Sequence, residues 1–139
     1  MSNHAATAAR WFEEVWNQGN ESTIDELFSP DGHCYGFPEP TSVIRRDEFK
    51  ATVRNFRSTF SGIHVTVDDT ITEGDKCAIR WTAQMQHTGD GFGFPATGAP
   101  VTLSGISTMH MKDGLIIEGW NALDMTAVVA RLGALAATQ

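Results

Sequence analysis

The sequence predicts an α+β domain in which a curved antiparallel sheet wraps around N-terminal helices, a C-terminal helix closes the chain, and a conical cavity is left inside. Three observations carry that expectation. Helical apolar spacing occurs in the first third of the chain and again at its end, with long alternating stretches between. In Cys77 to His87, and again from Ser107 through Asn121, apolar or small side chains fall on every second position, the period of a strand with one buried face. The length, 139 residues, is that of one domain with a core of its own, so a single domain over 1–139 is expected.

From Ala5 to Asn17, residues Ala8, Phe12, Val15 and Trp16 share one face while Arg10, Glu13 and Glu14 face elsewhere, and Gly19 marks the stop. A capped second helix follows, beginning at Ser22 with Ile24, Leu27 and Phe28 as its apolar side and closed by Ser29-Pro30-Asp31-Gly32. His33 to Phe37 forms a short strand whose exit through Pro38-Glu39-Pro40 is irregular. Asp47 caps a third helix with a stripe of Phe49, Val53, Phe56 and Phe60. Ile63, Val65 and Val67 alternate with polar residues as the next strand, and Glu73-Gly74-Asp75-Lys76 turns it into Cys77 to His87.

In that strand the odd positions point inward, so His87 closes the inward row. Gly89 to Gly98 has the glycines of a phosphate loop but no helix start after it, which excludes a nucleotide cradle. With Phe92 and Phe94 it reads as a hairpin tip or flap that either covers a cavity mouth or docks on the body. Ser107 to Met111 and Leu115 to Asn121 are the last two strands, joined at Lys112-Asp113-Gly114, where Asp-Gly tolerates positive φ. Asp124 then caps a final helix carrying Met125, Val128, Val129 and Leu132, which Gly133 ends.

Charge and cysteine usage narrow the function classes. Lys+Arg 10 against Asp+Glu 17 gives a net charge of −7, which repels phosphate backbones and anionic bilayers. Neither nucleic acid nor membrane is an expected partner. Cys34 and Cys77 lie in no metal or redox spacing and read as small buried residues of a reducing compartment, and with no leader or membrane-length apolar run a cytoplasmic location is expected. The histidines show no ligand spacing, so no metal and no cofactor is expected.

The functional question centres on Ser107 and Asn121, polar residues on the same inward face as Met109 and Ile117. Either they satisfy one another in a filled core or they line a cavity. Trp11-Phe12-Glu13-Glu14-Val15-Trp16-Asn17-Gln18-Gly19, Ser29-Pro30-Asp31, Gln86-His87-Thr88-Gly89, Pro95-Ala96-Thr97-Gly98, Lys112-Asp113-Gly114 and the ending Trp120 to Gly133 together resemble the SnoaL-like proteins of the NTF2-like superfamily. The resemblance implies an NTF2-like cone, often dimeric through the outer sheet face. In its best-known members it implies cofactor-free aldol cyclisation of polyketide esters by an aspartate on the final strand, assisted by a histidine on the preceding one. Those two positions are Asn121 and Ser107 here. An amide takes up no proton at accessible pH, so the family mechanism is not expected to run unchanged.

Two functions therefore stay open. In one, His87 abstracts a proton beside a carbonyl, Asp124 orients it, and Asn121 with Ser107 donates hydrogen bonds to the enolate, while Tyr35, Phe56, Trp81, Met85, Phe94 and Met109 hold a polyketide-like substrate. In the other, the same cavity only binds or carries a small molecule. An outward row of Ile106, Ile116 and Trp120 would build a homodimer.

Overall fold

The computed structural model describes residues 3–137 and has the expected α+β architecture, an NTF2-like cone. Helix α1 (His4–Trp11) runs on into a π-helical segment, Phe12–Asn17, in which the amide of Gln18 bonds five residues back to the Glu13 carbonyl at 3.0 Å. The extra residue per turn lets Trp11, Phe12 and Val15 all face the core. Asn17 fixes this segment to the edge of the sheet: its side-chain oxygen accepts from the Val65 amide at 2.6 Å and its Nδ2 donates to the Val65 carbonyl at 3.2 Å. The edge strand thus has two of its open backbone groups satisfied by a side chain.

Helix α2 (Glu21–Leu27) is capped by Asn20 rather than from Ser22, whose amide donates to Asn20 Oδ1 at 3.1 Å. Strand β1 (Phe28–Tyr35) then starts at once, so Ser29-Pro30-Asp31-Gly32 does not form the expected closing turn. These residues bulge between the pairs Phe28↔Ile116 and His33↔Glu118, and the interrupted ladder is what allows a proline within the strand. Strand β2 (Val43–Ile44) pairs with β1, and helix α3 (Arg46–Thr59) follows. Its N-cap is Arg45, with Asp47 in the first turn and Glu48 reaching back to the Arg45 amide.

The remaining strands are β3 (Phe60–Glu73), β4 (Lys76–His87), β5 (Pro100–Lys112) and β6 (Leu115–Leu123), and helix α4 (Met125–Ala136) ends the described chain. The six strands form one sheet in the order β2-β1-β6-β5-β4-β3. All neighbours are antiparallel except β1 and β6, which run parallel. Asp113 and Gly114 take positive φ in the β5–β6 turn, as the Asp-Gly pair predicts. Gly133 lies inside α4 instead of ending it.

Alternation holds along β4 and β5, whose odd-numbered side chains are buried from Cys77 to His87 and from Val101 to Met111 apart from half-buried Gly105. Strand β6 departs from it. A register shift after His110 pairs Met111 with Ile116 while Ser107 pairs with Asn121, so the phase slips by one residue near Ile117. Ile116 therefore turns inward and is only 2% exposed, which removes it from the expected outer row; Ile106 and Trp120 stay outside, about half exposed.

Candidate binding cavity

The concave face of the sheet, α1 with its π-helical continuation, and α3 enclose a cavity of about 70 Å³. Its wall is aromatic on the helix side, through Trp11, Phe12, Trp16, Phe49 and Phe56, and carries Trp81, Ser107, Met109 and Asn121 on the sheet side. The volume is about half that of an engineered ~150 Å³ apolar void able to hold benzene, so a polycyclic molecule requires wall side chains to move.

Strand pairing builds the polar end of this cavity. Ser107 and Asn121 face each other across β5 and β6, and Trp81 reaches them from β4, where its cross-strand partner is Gly105. A Cβ at Gly105 would lie 2.4 Å from the Trp81 ring, so only glycine leaves room for the indole there. The Trp81 Nε1–H donates to Ser107 Oγ at 3.0 Å, Ser107 donates to Asn121 Oδ1 at 2.8 Å, and Asn121 Nδ2 donates to the Tyr35 carbonyl at 3.0 Å and to Cys34 Sγ at 3.2 Å. The two alternatives open for Ser107 and Asn121 thus hold together: they satisfy each other and they line the cavity.

The direction of this chain is fixed by its ends. An indole N–H can only donate, and a peptide carbonyl can only accept. Asn121 must therefore turn its NH₂ toward Tyr35 and its oxygen toward Ser107, whose hydroxyl must point at Asn121. Burial pushes the Cys34 thiol up to about 12, partly opposed by the hydrogen bond from Asn121. Among the described residues of the wall, Cys34 is the single group that titrates.

Five of the sequence-derived site residues meet at the cavity: Phe56, Trp81, Ser107, Met109 and Asn121. The others do not. Tyr35 stacks on Trp120 at 4.0 Å with the rings 9° apart, because its place in the parallel β1–β6 ladder is beside Trp120 on the outer face. Its neighbour Cys34 takes the inward position instead. Met85 is buried beyond the cavity, and Phe94 packs toward α4 at Gly133. Asp124 is exposed, accepts the Ala127 amide at 3.3 Å as the α4 cap, and borders a shallow groove on the outer face.

His87 is fully buried, with Nδ1 receiving the Thr97 amide at 3.2 Å, so its ring proton sits on Nε2, which has no hydrogen-bond partner. Asp124 bonds through its amide to Ser104, which pairs with Thr82, whereas His87 lies five residues farther along β4, roughly 16 Å away at strand spacing. The structure does not bring the expected His87–Asp124 pair together. The Gly89 to Gly98 segment docks on the end of α3, where the Thr59 carbonyl accepts the Thr88 and Gly89 amides and Phe92 lies 5.5 Å from Phe60.

Trp11, Phe12, Trp16, Cys34 and Phe37 line the cavity without having been singled out as its wall. For the first three the clustering of aromatic residues in one short stretch was the available signal. Cys34 required knowing that β1 lies beside β6.

A curved sheet closed over helices around an apolar cavity defines an NTF2-like domain. The family model described as SnoaL-like polyketide cyclase matches residues 6–132, and the chain belongs to that family. Among solved structures it is similar to IdmH from Streptomyces antibioticus, with 27% identity, a TM-score of 0.83, and 95% of this chain and 99% of that one covered. TsrD from Streptomyces laurentii is 26% identical with a TM-score of 0.80, covering 96% and 99% of the two chains. A protein of Acidithiobacillus ferrooxidans, at 22% identity and a TM-score of 0.83 over 98% and 99%, shares the fold. No curated relative matches the sequence. Among the described residues no helix is long and apolar enough to cross a membrane.

Proposed function

We propose that this chain works by holding a small, largely apolar molecule in its cavity, without acid/base chemistry of its own at the position where the aldol cyclases carry an aspartate. The observation that carries this reading is the composition of the wall: its one titrating group is Cys34, whose thiol is held up at about 12 and so stays protonated at neutral pH. Asn121 is further committed as a donor to Tyr35 and as an acceptor from Ser107. A side chain so placed orients a ligand; it does not move a proton.

Gly119 offers a direct test, because it lines the cavity and a Cβ built on it meets nothing within 4 Å. Gly119→Val should occupy the void, raise stability by about 1 kcal/mol, and abolish the thermal stabilisation given by an apolar cavity ligand such as xenon. Wild-type protein stabilised by the ligand and a variant that no longer responds is the expected result. Equal responses would place binding elsewhere.

Participation of His87 is the second reading: its buried, unpartnered Nε2–H can donate a hydrogen bond to a substrate carbonyl, whereas abstracting a proton requires the ring first to release the Thr97 amide from Nδ1. It requires a carbonyl substrate to reach that nitrogen beyond Met85. Loss of turnover in His87→Ala with an identified substrate would support it, and unchanged turnover would remove it. The outer face, with exposed Ile106 and Trp120, is proposed to meet a second copy of the chain; sedimentation of Ile106→Lys as a monomer beside a dimeric wild type is the expected outcome.

A further inference from the structure

Building on the reading of the cavity as a binding site, we infer that its polar end selects a hydrogen-bond donor on the ligand, a hydroxyl or an amine, and discriminates against a bare carbonyl. The argument is an inventory of hydrogens. Trp81 has one, given to Ser107; Ser107 has one, given to Asn121; and the two on Asn121 Nδ2 go to the Tyr35 carbonyl and the Cys34 sulfur. Every side-chain donor of the Trp81–Ser107–Asn121 cluster is consumed inside the protein, and the remaining S–H of Cys34 is a weak one; the Thr108 hydroxyl belongs to the outward row of β5 opposite Trp120, and the Trp11 and Trp16 indoles to the helix side of the cavity.

What is left over is acceptor capacity. Ser107 Oγ receives one hydrogen and has a second lone pair; Asn121 Oδ1 receives one and has another. Both atoms belong to residues of the cavity wall. A ligand hydroxyl can donate to either without breaking any bond of the chain. A ketone oxygen meets lone pairs only, and gains a donor only if Ser107 turns away from Asn121 and leaves that amide oxygen unpaired. Nor can the chain reverse, since its two ends are an obligate donor and an obligate acceptor. The Trp81–Ser107–Asn121 relay therefore gives a site of opposite polarity to an oxyanion hole, in which donors await a developing negative charge.

The test uses the 139-residue chain and three small probes that suit a cavity of about 70 Å³. Xenon reports whether the void takes a guest; 2-propanol and acetone, matched in shape, report the polarity. The readout is the set of tryptophan indole N–H resonances, with Trp81 assigned from Trp81→Phe. Xenon should shift the cavity indoles, and 2-propanol should bind roughly tenfold tighter than acetone, the worth of one hydrogen bond. If xenon binds and acetone equals or exceeds 2-propanol, the inferred polarity is overturned while the binding cavity stands. If no probe shifts a cavity indole, both fall.

Ser107→Ala frees the Trp81 N–H toward the cavity, so the preference should drop to parity or invert. Trp81→Phe removes the first donor but leaves Ser107 pointing at Asn121, so the alcohol preference should persist. An unchanged preference in Ser107→Ala would also refute the inference. Should that variant not fold, the alcohol-to-ketone ratio in Trp81→Phe and wild type decides alone.

Discussion

Two buried polar clusters sit on the same inward row of β4, and they are satisfied in opposite ways. Trp81 begins a chain in which each side-chain hydrogen finds an acceptor, ending on the Tyr35 carbonyl. His87, six residues and roughly 20 Å farther along the strand, has the amide and the hydroxyl of Thr97 against Nδ1 and keeps an unpaired Nε2–H. The satisfied cluster lines the cavity, and the unsatisfied one lies beneath the docked loop against Phe60. A residue's chemical type thus does not reveal whether it stands ready for chemistry. Histidine is the better base on paper, yet among the described residues the cavity is walled, Cys34 apart, by side chains that do not titrate.

Alkaline unfolding should probe the satisfied cluster most strongly. The Cys34 thiol lies at about 12 against an ordinary 9.0, so the folded protein holds that proton more tightly than the unfolded chain. Its contribution is present below pH 9 and is lost as pH rises toward 12, on the order of 4 kcal/mol in all. Urea unfolding across that window should show the loss in wild type and a flatter profile in Cys34→Ala.

Asn121→Asp should come next, at about 3 kcal/mol at pH 7, because a carboxylate cannot donate to the Tyr35 carbonyl and would be partly buried against it. Burial and the facing carbonyl raise the folded-state pKa of the new group, so the deficit relative to wild type should shrink on lowering the pH to 4, where the protonated acid again donates. A deficit equal at both pH values would contradict the assigned direction of the hydrogen-bond chain.

Gly105→Ala should cost about 2 kcal/mol by forcing its methyl into the Trp81 ring, with a matching change in Trp81 fluorescence. The smallest effect belongs to the other cluster. His87→Leu unpairs the Thr97 amide and takes Nδ1 away from the Thr97 hydroxyl, but also removes the orphaned Nε2–H, so thermal unfolding should shift by only about 1 kcal/mol. A loss as large as that of Asn121→Asp would show that the two clusters are not so different.

Much of the fold was legible because strand and helix periodicities are local. The inward rows of β4 and β5, the Asp-Gly turn and the Asp124 cap each follow from a few neighbouring residues. The site was half legible for the same reason: Trp81, Ser107, Met109 and Asn121 lie on strands whose phase can be counted, and Phe56 lies on a clear helical stripe. Tyr35 was misplaced because its phase depends on a parallel partner 85 residues away, Trp120. Ile116 was misplaced because a register slip near Ile117 leaves no mark in the alternation of residue types.

The sequence by itself determined the order of elements, the faces of the long strands, and the presence of an amide and a hydroxyl, Asn121 and Ser107, on the inward rows. Those depend on periodicity and residue chemistry alone. Tertiary structure decided which polar groups meet, and in which direction they donate. Hydrogen-bond polarity is settled only when an obligate donor such as the Trp81 indole and an obligate acceptor such as the Tyr35 carbonyl are brought to opposite ends of one chain.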